Sequence, residues 1–401
     1  AKLIILYVIR NTLSSMNVIL YDSENARGNL LPISYTRPVA GIRLGIDTIA
    51  DKWRAALPCA DYSFMTDHYL SAKFPCGPIA DDTLIIAGNL VPDERLVASI
   101  QALEPGDSLY LGDRMLARRG TEELRPKIYI GDVTSVDHLW DIFMLNDMAI
   151  RADFSRLTAG LTSRKPSPTV TVIGDESQLF IHPDAADVEG CVINVKTGPV
   201  YIGPGAEVME GACLRGPIAV CEHAVVKMGA KIYGATTVGP YCKVGGELAN
   251  VVMMAYSNKA HDGFLGNAVI GEWCNIGGGC VASNLKNDYT EIKLWNYPAH
   301  RFLKTGLQFC GLIMGDHSKA GVNTMLNTAT VLGVGVNIHG SGFPRPFLAS
   351  FSEGSTAGFS DVPMNKFFDT ARKMMARRGV ELTDTDIEIL NHIRVLAEQY
   401  R

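Results

Sequence analysis

Two stretches of this 401-residue chain concentrate side chains that can do chemistry. The first runs His261-Asp262-Gly263-Phe264-Leu265-Gly266-Asn267-Ala268-Val269-Ile270-Gly271, then Asn275-Ile276-Gly277-Gly278-Gly279 and Asn284. It offers one imidazole that exchanges a proton near neutral pH, amide side chains that can place a polar ligand, and glycines that let backbone approach closely. The second is Leu30-Leu31-Pro32-Ile33-Ser34-Tyr35-Thr36-Arg37-Pro38-Val39, flanked by Arg27, Gly28, Arg43 and Lys52. Its cations are of the kind that grip phosphate. Neither stretch decides anything alone. A His in a loop is usually only a loop residue, and most arginines end in surface ion pairs.

The elements that must position these residues announce themselves by a repeat. From residue 202 an aliphatic side chain recurs every six positions: Ile202, Val208, Leu214, Val220, Val226, Ile232, Val238 and Val244. Small residues follow four positions after most of them, at Ala206, Ala212, Ala224, Ala230, Thr236 and Cys242. The period resumes at Ile270, Ile276 and Ala282, and again at Met314, Ala320, Leu326, Leu332 and Ile338. Neither a helix nor an ordinary half-buried strand gives a period of six. One short strand and one tight turn per hexad do, and they build a parallel β-helix. The 26 residues from Val244 to Ile270 and the 32 from Ala282 to Met314 are not multiples of six. The expectation is that the chain leaves the coil at both places, and that such insertions build the binding site. The larger, 284–312, carries Lys286, Lys293, Trp295, His300 and Arg301; the last two read as solvated loop residues.

Ahead of the repeat, segments 17–21, 63–65 and 83–87 read as buried strands. Ile42, Ile46, Ile49, Trp53 and Leu57 lie at helical spacing, as do Leu96, Ile100 and Leu103. That alternation predicts a Rossmann-like α/β domain over 16–160, a linker at 161–168, the β-helix over 170–345, and a helical segment over 363–401. An N-cap is expected at Thr383 or Asp384. The apolar run 3–9 is too short to span a membrane, and the domain is expected to start near Met16 after an upstream extension rather than a secretory signal. A net charge of −5 argues against an electrostatic nucleic-acid binder. Nine cysteines without a CxxC pair suggest reduced thiols in a cytoplasmic protein.

The His261 stretch resembles the acetyltransferase domain of the bifunctional bacterial enzymes that acetylate glucosamine-1-phosphate and then uridylylate it. That family shows a His, three intervening residues, Leu-Gly, Ala-x-Ile-Gly, Asn-Ile-Gly-x-Gly and a later Asn, all in this register. The resemblance covers about residues 198–342 and implies a left-handed β-helix. It makes His261 the general base on the sugar's 2-amino group, with acetyl-CoA as donor. Asn275 and Asn284 would place sugar and acetyl group, and amides around Gly278 would polarise the thioester carbonyl. Gly321 and Gly340 match positions that line a CoA channel. A tyrosine of the family is Phe264 here. Lysines of the family do not align, since Ala249 and Asn250 stand there. Lys231, Lys259 and Lys293 are the substitutes expected to hold the sugar phosphate. Asn275 has a second reading, as an internal ladder residue capping coil backbone. The triple glycine reads first as structural.

The Leu30–Val39 stretch resembles the signature of sugar nucleotidyltransferases, Gly-x-Gly-Thr-Arg-x-x-Pro-Leu-Thr followed by Arg-Pro-Lys. Gly28, Pro32, Ser34, Arg37 and Pro38 fall in register, whereas the signature Arg is Asn29, the Lys is Val39, and the metal-holding Gly-Asp is Gly88-Asn89. Two readings stay open. Either Arg27, Arg37, Arg43 and Lys52 supply the charge from shifted positions while Asp22 or Asp93 holds Mg²⁺, or the domain binds a nucleotide sugar without turnover.

Together these resemblances imply a two-domain transferase of nucleotide-sugar synthesis. Its expected substrates are a sugar 1-phosphate, UTP and acetyl-CoA, and its expected assembly is a homotrimer, with no nucleic-acid or membrane partner. Two rivals remain: a nucleotidyltransferase whose β-helix only oligomerises and regulates, as glucose-1-phosphate adenylyltransferases resemble doing, and a non-catalytic sugar-nucleotide sensor.

Overall fold

A computed structural model describes residues 17–58 and 61–401, and the apolar run 3–9 and the start at Met16 lie outside them. The chain divides into two compact units, one holding 47–138 with 36–42 and the segment up to Leu30, the other holding 139–401 with 31–35 and 43–46.

The first unit is a six-stranded sheet in the order β2-β1-β3-β5-β4-β6. Its strands are β1 (Asn17–Tyr21), β2 (Asp61–Met65), β3 (Leu84–Ala87), β4 (Asp107–Leu111), β5 (Arg114–Arg119) and β6 (Arg125–Ile128). β1 lies between β2 and β3, parallel to both. Strand order thus reverses around β1, which opens a crevice at the carboxyl ends of these strands. Helix α1 spans Ile49–Ala56 and begins later than the 42–57 spacing suggests. Thr48 caps it in a reciprocal capping box with Asp51, and that cap fixes the first turn. α1 buries Ile49 and Trp53, and the Trp53 indole N–H donates to the Leu90 carbonyl at 2.8 Å. Helix α2 (Glu94–Gln101) starts at Asp93, whose carboxylate accepts from the Leu96 amide, and it buries Leu96 and Ile100.

The second unit is the parallel β-helix. All eight hexad residues from Ile202 to Val244 are buried to within 1% exposure, as are the small residues at Ala206, Ala212, Ala224, Ala230, Thr236 and Cys242. Helix α3 (Asn146–Thr158) belongs to this unit rather than to the sheet. Its Asn146 amide donates to the Ala235 carbonyl at 2.7 Å, and its Ile150 and Phe154 pack with Phe180, Ala219 and Cys221.

The first break in the period is not an excursion. Ile232 pairs with Leu248, Val238 with Met253, Val244 with Lys259, Leu248 with Leu265 and Met253 with Ile270, so the chain stays in the coil with shortened corners. Lys259 therefore occupies an inner position that elsewhere holds an aliphatic residue. The second break does leave the coil. It forms an antiparallel hairpin, Lys293–Asn296 against Arg301–Lys304. Trp295 stacks on Phe347 at 4.1 Å, and Tyr297 packs edge-on against Phe347 and Tyr400, which turns the hairpin toward the end of the chain.

One corner of the coil carries a ladder of rings at His223, Tyr241, Tyr256, Trp273 and His317, with centroids 4.9, 5.0, 4.2 and 6.3 Å apart. All five residues have φ between 51° and 60°, a left-handed conformation unusual for such bulky side chains. Stacking of the same corner in successive coils offsets that strain. Helix α4 (Met364–Ala376) then crosses one face of the coil, with Phe367 packed against Phe351 and His317. α5 (Asp384–Leu396) follows, capped by Thr383 as expected. The eight described cysteines are all free thiols. Among the described residues no helix is long and apolar enough to cross a membrane.

Candidate functional site

On the face beneath α4, outward side chains alternate with the inner column, and one row stacks Lys243 beside Asn258, Asn258 beside Asn275, and Asn275 beside Lys319. α4 is fastened over this row at both ends. Lys366 meets Glu353 at 3.1 Å, and past the helix end the Arg378 guanidinium donates to the Asn258 side-chain oxygen at 2.9 Å. Between helix and coil lies a cleft of about 690 Å³. His261, Asn275 and Gly278 all line it.

His261 stands in the turn between the strand Asn258–Lys259 and the strand Phe264–Ile270, at the corner joining two coil faces. Its ring is exposed and bonds to no described residue. A Cβ placed on Gly278 would lie 3.5 Å from the His261 Cβ, an ordinary contact, so the Gly278 backbone rests directly against His261. The Gly278 carbonyl accepts from the Asn323 amide, but its own N–H donates to no described group. Its neighbours are glycines for another reason. A Cβ on Gly277 would meet the Gly321 backbone at 2.8 Å, and Gly279 has φ +72° with Asn323 in the way. Two glycines of the triplet serve coil stacking, and the third faces the cleft with an uncommitted donor.

Lys259 lies under this turn with 1% exposure. Its ammonium donates to the carbonyls of Gly245, at 3.1 Å, and of His261. It is thus directed inward, away from any phosphate in the cleft. Burial holds its amine below the ordinary 10.5. Lys259→Met is expected to raise the melting temperature at neutral pH, by the equivalent of ~1–2 kcal/mol, because an apolar chain of similar length fills the inner column without a buried charge. The folded protein releases this proton at lower pH than the unfolded chain does, so wild type regains stability as pH rises toward 10.5. Scanning calorimetry at neutral pH and at about pH 10 should show the gap closing; a variant that melts below wild type at neutral pH would mean that the two carbonyl bonds outweigh the burial.

The other expected residues fall elsewhere. Lys231, Glu247 and Phe264 stand side by side on the adjoining coil face, one corner past His261. Asn284 is also there, its amide donating to the Asn267 side-chain oxygen at 2.8 Å. Lys293 is exposed on the hairpin. Gly321 is stacked under Gly277, and only its successor Val322 reaches the cleft, while Gly340 turns the chain beside Ser355. No residue of the hairpin lines the cleft; α4 roofs it instead.

In the sheet unit the carboxyl ends of β1 and β2 bring Asp22, Thr66, Asp67, Arg27 and Tyr69 together. The Arg27 Nε meets Asp67 at 2.5 Å, its Nη2 donates to the Tyr69 hydroxyl at 2.6 Å, and its Nη1 lies 3.6 Å from Asp22. Asp22 also accepts from the Thr66 hydroxyl at 2.6 Å and the Val39 amide at 2.9 Å. Desolvation nonetheless pushes its carboxyl up to about 6. Arg37 is buried next to this group and its carbonyl accepts from Arg27. Lys52 is buried on α1, Asp93 is occupied capping α2, and Arg43 belongs to the coil unit, donating to the Ile46 and Met254 carbonyls. Asn89, at the end of β3, donates to Asp137 at 2.7 Å, and Asp137 in turn holds Arg114 at 3.1 Å. Among the described residues no three His, Cys, Asp or Glu stand together as a metal site. Asp22 and Asp137 each already face an arginine, so these residues do not by themselves form a cage for Mg²⁺.

The family described as "Sugar nucleotidyl transferase" matches residues 18–162. The "Bifunctional protein GlmU" of Trichodesmium erythraeum is 32% identical over 121 residues, 30% of this chain and 22% of that protein. The GlmU of Trichormus variabilis is 30% identical over 150 residues, and that of Synechococcus elongatus 24% over 214. Over these stretches the chain is similar to GlmU, and residues 18–162 match the nucleotidyl transferase family. It spans 22%, 29% and 42% of the lengths of these relatives. The solved UDP-N-acetylglucosamine acyltransferase of Francisella novicida aligns at 11% identity and a TM-score of 0.31, over 58% of this chain and 75% of that one.

Several cleft residues escape the motifs. Lys243 and Lys319 directly precede inner residues of the repeat, so they point outward, and that signal was available in the period. Thr370, Lys373 and Met374 on α4, with Arg377 at its C-cap, lie at helical spacing on one side, but nothing in the sequence says which coil face the helix covers. Asp137 reaches Asn89 only through tertiary folding.

Proposed function

We propose that this chain synthesises a nucleotide sugar in two steps, the second unit acetylating glucosamine-1-phosphate with acetyl-CoA and the first transferring a uridylyl group from UTP to the sugar 1-phosphate. The carrying observation is His261, exposed at a corner of the coil against the uncommitted Gly278 amide and at the rim of a cleft. As the 2-amino nitrogen attacks the thioester carbonyl, His261 takes its proton and the Gly278 N–H receives the developing oxyanion; the C–S bond then breaks and His261 returns the proton to the departing sulfur, so that CoA leaves as the thiol. Lys231, Phe264 and Asn284 on the adjoining face would hold the sugar, opposite the side from which the donor enters.

For uridylyl transfer, Arg27 and Arg37 are the cations placed at the crevice of the sheet, and Mg²⁺ would arrive largely on the phosphates of the nucleotide, as this ion commonly does. A second reading, in which this unit binds a nucleotide sugar without turnover, is favoured by the neutral Asn89 bonded to Asp137. The chain would act in the cytoplasm. A homotrimer would cover the row containing Lys231 and Phe264, and sedimentation showing a monomer would remove that shared-face arrangement.

The test is a pair of assays on one preparation: acetyl-CoA with glucosamine-1-phosphate, and UTP with N-acetylglucosamine-1-phosphate and Mg²⁺. Product in both supports the two-step reading. Acetyl transfer alone selects the second reading of the sheet unit, and uridylyl transfer alone removes the acyl-transfer role.

A further inference from the structure

A second cavity, of about 460 Å³, opens beside the last coil of the unit 139–401 and shares no lining residue with the cleft under α4. Its size falls in the range of small-molecule sites. Four rings line it: Phe302 on the hairpin, Phe347 in the coil strand Phe347–Leu348, Phe359 in the pair Ser352–Ser355 with Gly358–Asp361, and Tyr400. Further rings hold three of them in place. Trp295 lies flat on Phe347 at 4.1 Å and edge-on to Phe302 at 5.3 Å, and Tyr297 meets Tyr400 at 4.8 Å. Phe302 nonetheless stays 39% exposed, an open ring on a packed support. The polar lining is just as selective. Arg345 bonds to no described residue, and neither does the Ser352 hydroxyl, although Ser352 is only 9% exposed. Arg401, by contrast, pairs with Asp361 and donates to the Ser350 carbonyl at 3.0 Å. A nearly buried hydroxyl without a protein partner is completed by whatever fills the cavity beside it.

We propose that this cavity is an effector site for a nucleoside monophosphate. The base stacks among Phe302, Phe347 and Tyr400, as bases do on aromatic side chains. The ribose hydroxyls meet Ser352 and the Asp361 carboxylate, and the single phosphate takes Arg345. One free cation suits one phosphate, and a bare aromatic acid would leave the hydroxyl and the carboxylate unused. The effector role follows from Tyr400. Its side chain shares a hydrogen bond with that of Tyr35, which is buried and also packs edge-on against Tyr297 at 5.7 Å. A base against Tyr400 therefore bears on the segment 31–35, which ends two residues before Arg37. Neither the binding nor this effect rests on the two-step reading of the reaction.

Titration calorimetry of the full chain with UMP and with AMP tests the binding and names the base, with uridine, adenosine and inorganic phosphate as controls. At least one monophosphate is expected to bind, and to bind more tightly than its nucleoside or phosphate alone. Arg345→Gln should weaken it about tenfold or more through the lost charge-assisted contact, and Phe302→Ala about fivefold or more through lost stacking. Both side chains are exposed, so both variants should melt with wild type. If another site also binds, its step in the titration stays put in both variants while this one moves. Hydrogen exchange of the amides in 31–35 should slow when the ligand is added to wild type, and should not change in Arg345→Gln at the same concentration. No binding of either nucleotide, or affinities within twofold of wild type in both variants, would overturn the site. Unchanged exchange despite binding would overturn its effector role.

Discussion

Replacing His261 by Ala is expected to lower acetyl transfer by ~10²–10⁴-fold, the range typical of losing a positioned general base, while uridylyl transfer and thermal stability stay at wild-type levels. The stability half of this expectation comes from exposure. The ring packs into no core and bonds to no described residue, so its removal leaves neither a cavity nor an unpaired group. The loss should be in kcat. Steady-state assays of both half-reactions on one preparation check this directly. Equal acetylation by wild type and His261→Ala would remove the base from this position.

How much of this could be read from the residues depended on whether the information was local. The coil was legible because every hexad repeats the same local demand, an aliphatic residue inward and a small one near the corner. Its apparent interruption between Val244 and Ile270 was not legible as coil, because corners can lose residues while strands keep register, and because Lys259 breaks the apolar code at an inner position. That lysine looks like a phosphate ligand in sequence, yet its place in the column aims it at carbonyls. The His261 turn and the cleft glycine were legible from their motif. The cations opposite them were not, since the position of α4 over one coil face is set by contacts such as Phe367 on Phe351 and Arg378 on Asn258, far apart in the chain. The Leu30–Val39 signature shows the same limit: its residues 31–35 pack into the coil unit, where Tyr35 meets Tyr297, while Arg37 stays with the sheet.

Gly263→Ala is expected to damage both stability and acetyl transfer. Gly263 closes the His261 turn with φ +122°, where a side chain is strained whatever the space, and a Cβ there would sit 1.9 Å from the Cys280 carbonyl oxygen. That obstacle is backbone of the next coil, so no rotamer change relieves it. Either the strand Phe264–Ile270 must separate from its neighbour or the turn must swing and carry His261 away from Gly278. Strain of this kind costs ~1–3 kcal/mol for the conformation alone, and the clash adds to it. Within a stacked solenoid the loss is felt by the adjoining coils through their shared interfaces. Gly278→Ala supplies the contrast. Its Cβ would meet only His261 at ordinary contact distance, so its melting temperature should match wild type, while a methyl group beside the oxyanion donor slows transfer. Thermal melts with the acetyl-transfer assay on both variants test the pair. Should Gly263→Ala melt with wild type, the turn has room that this packing denies it, and the placement of His261 against Gly278 falls with it.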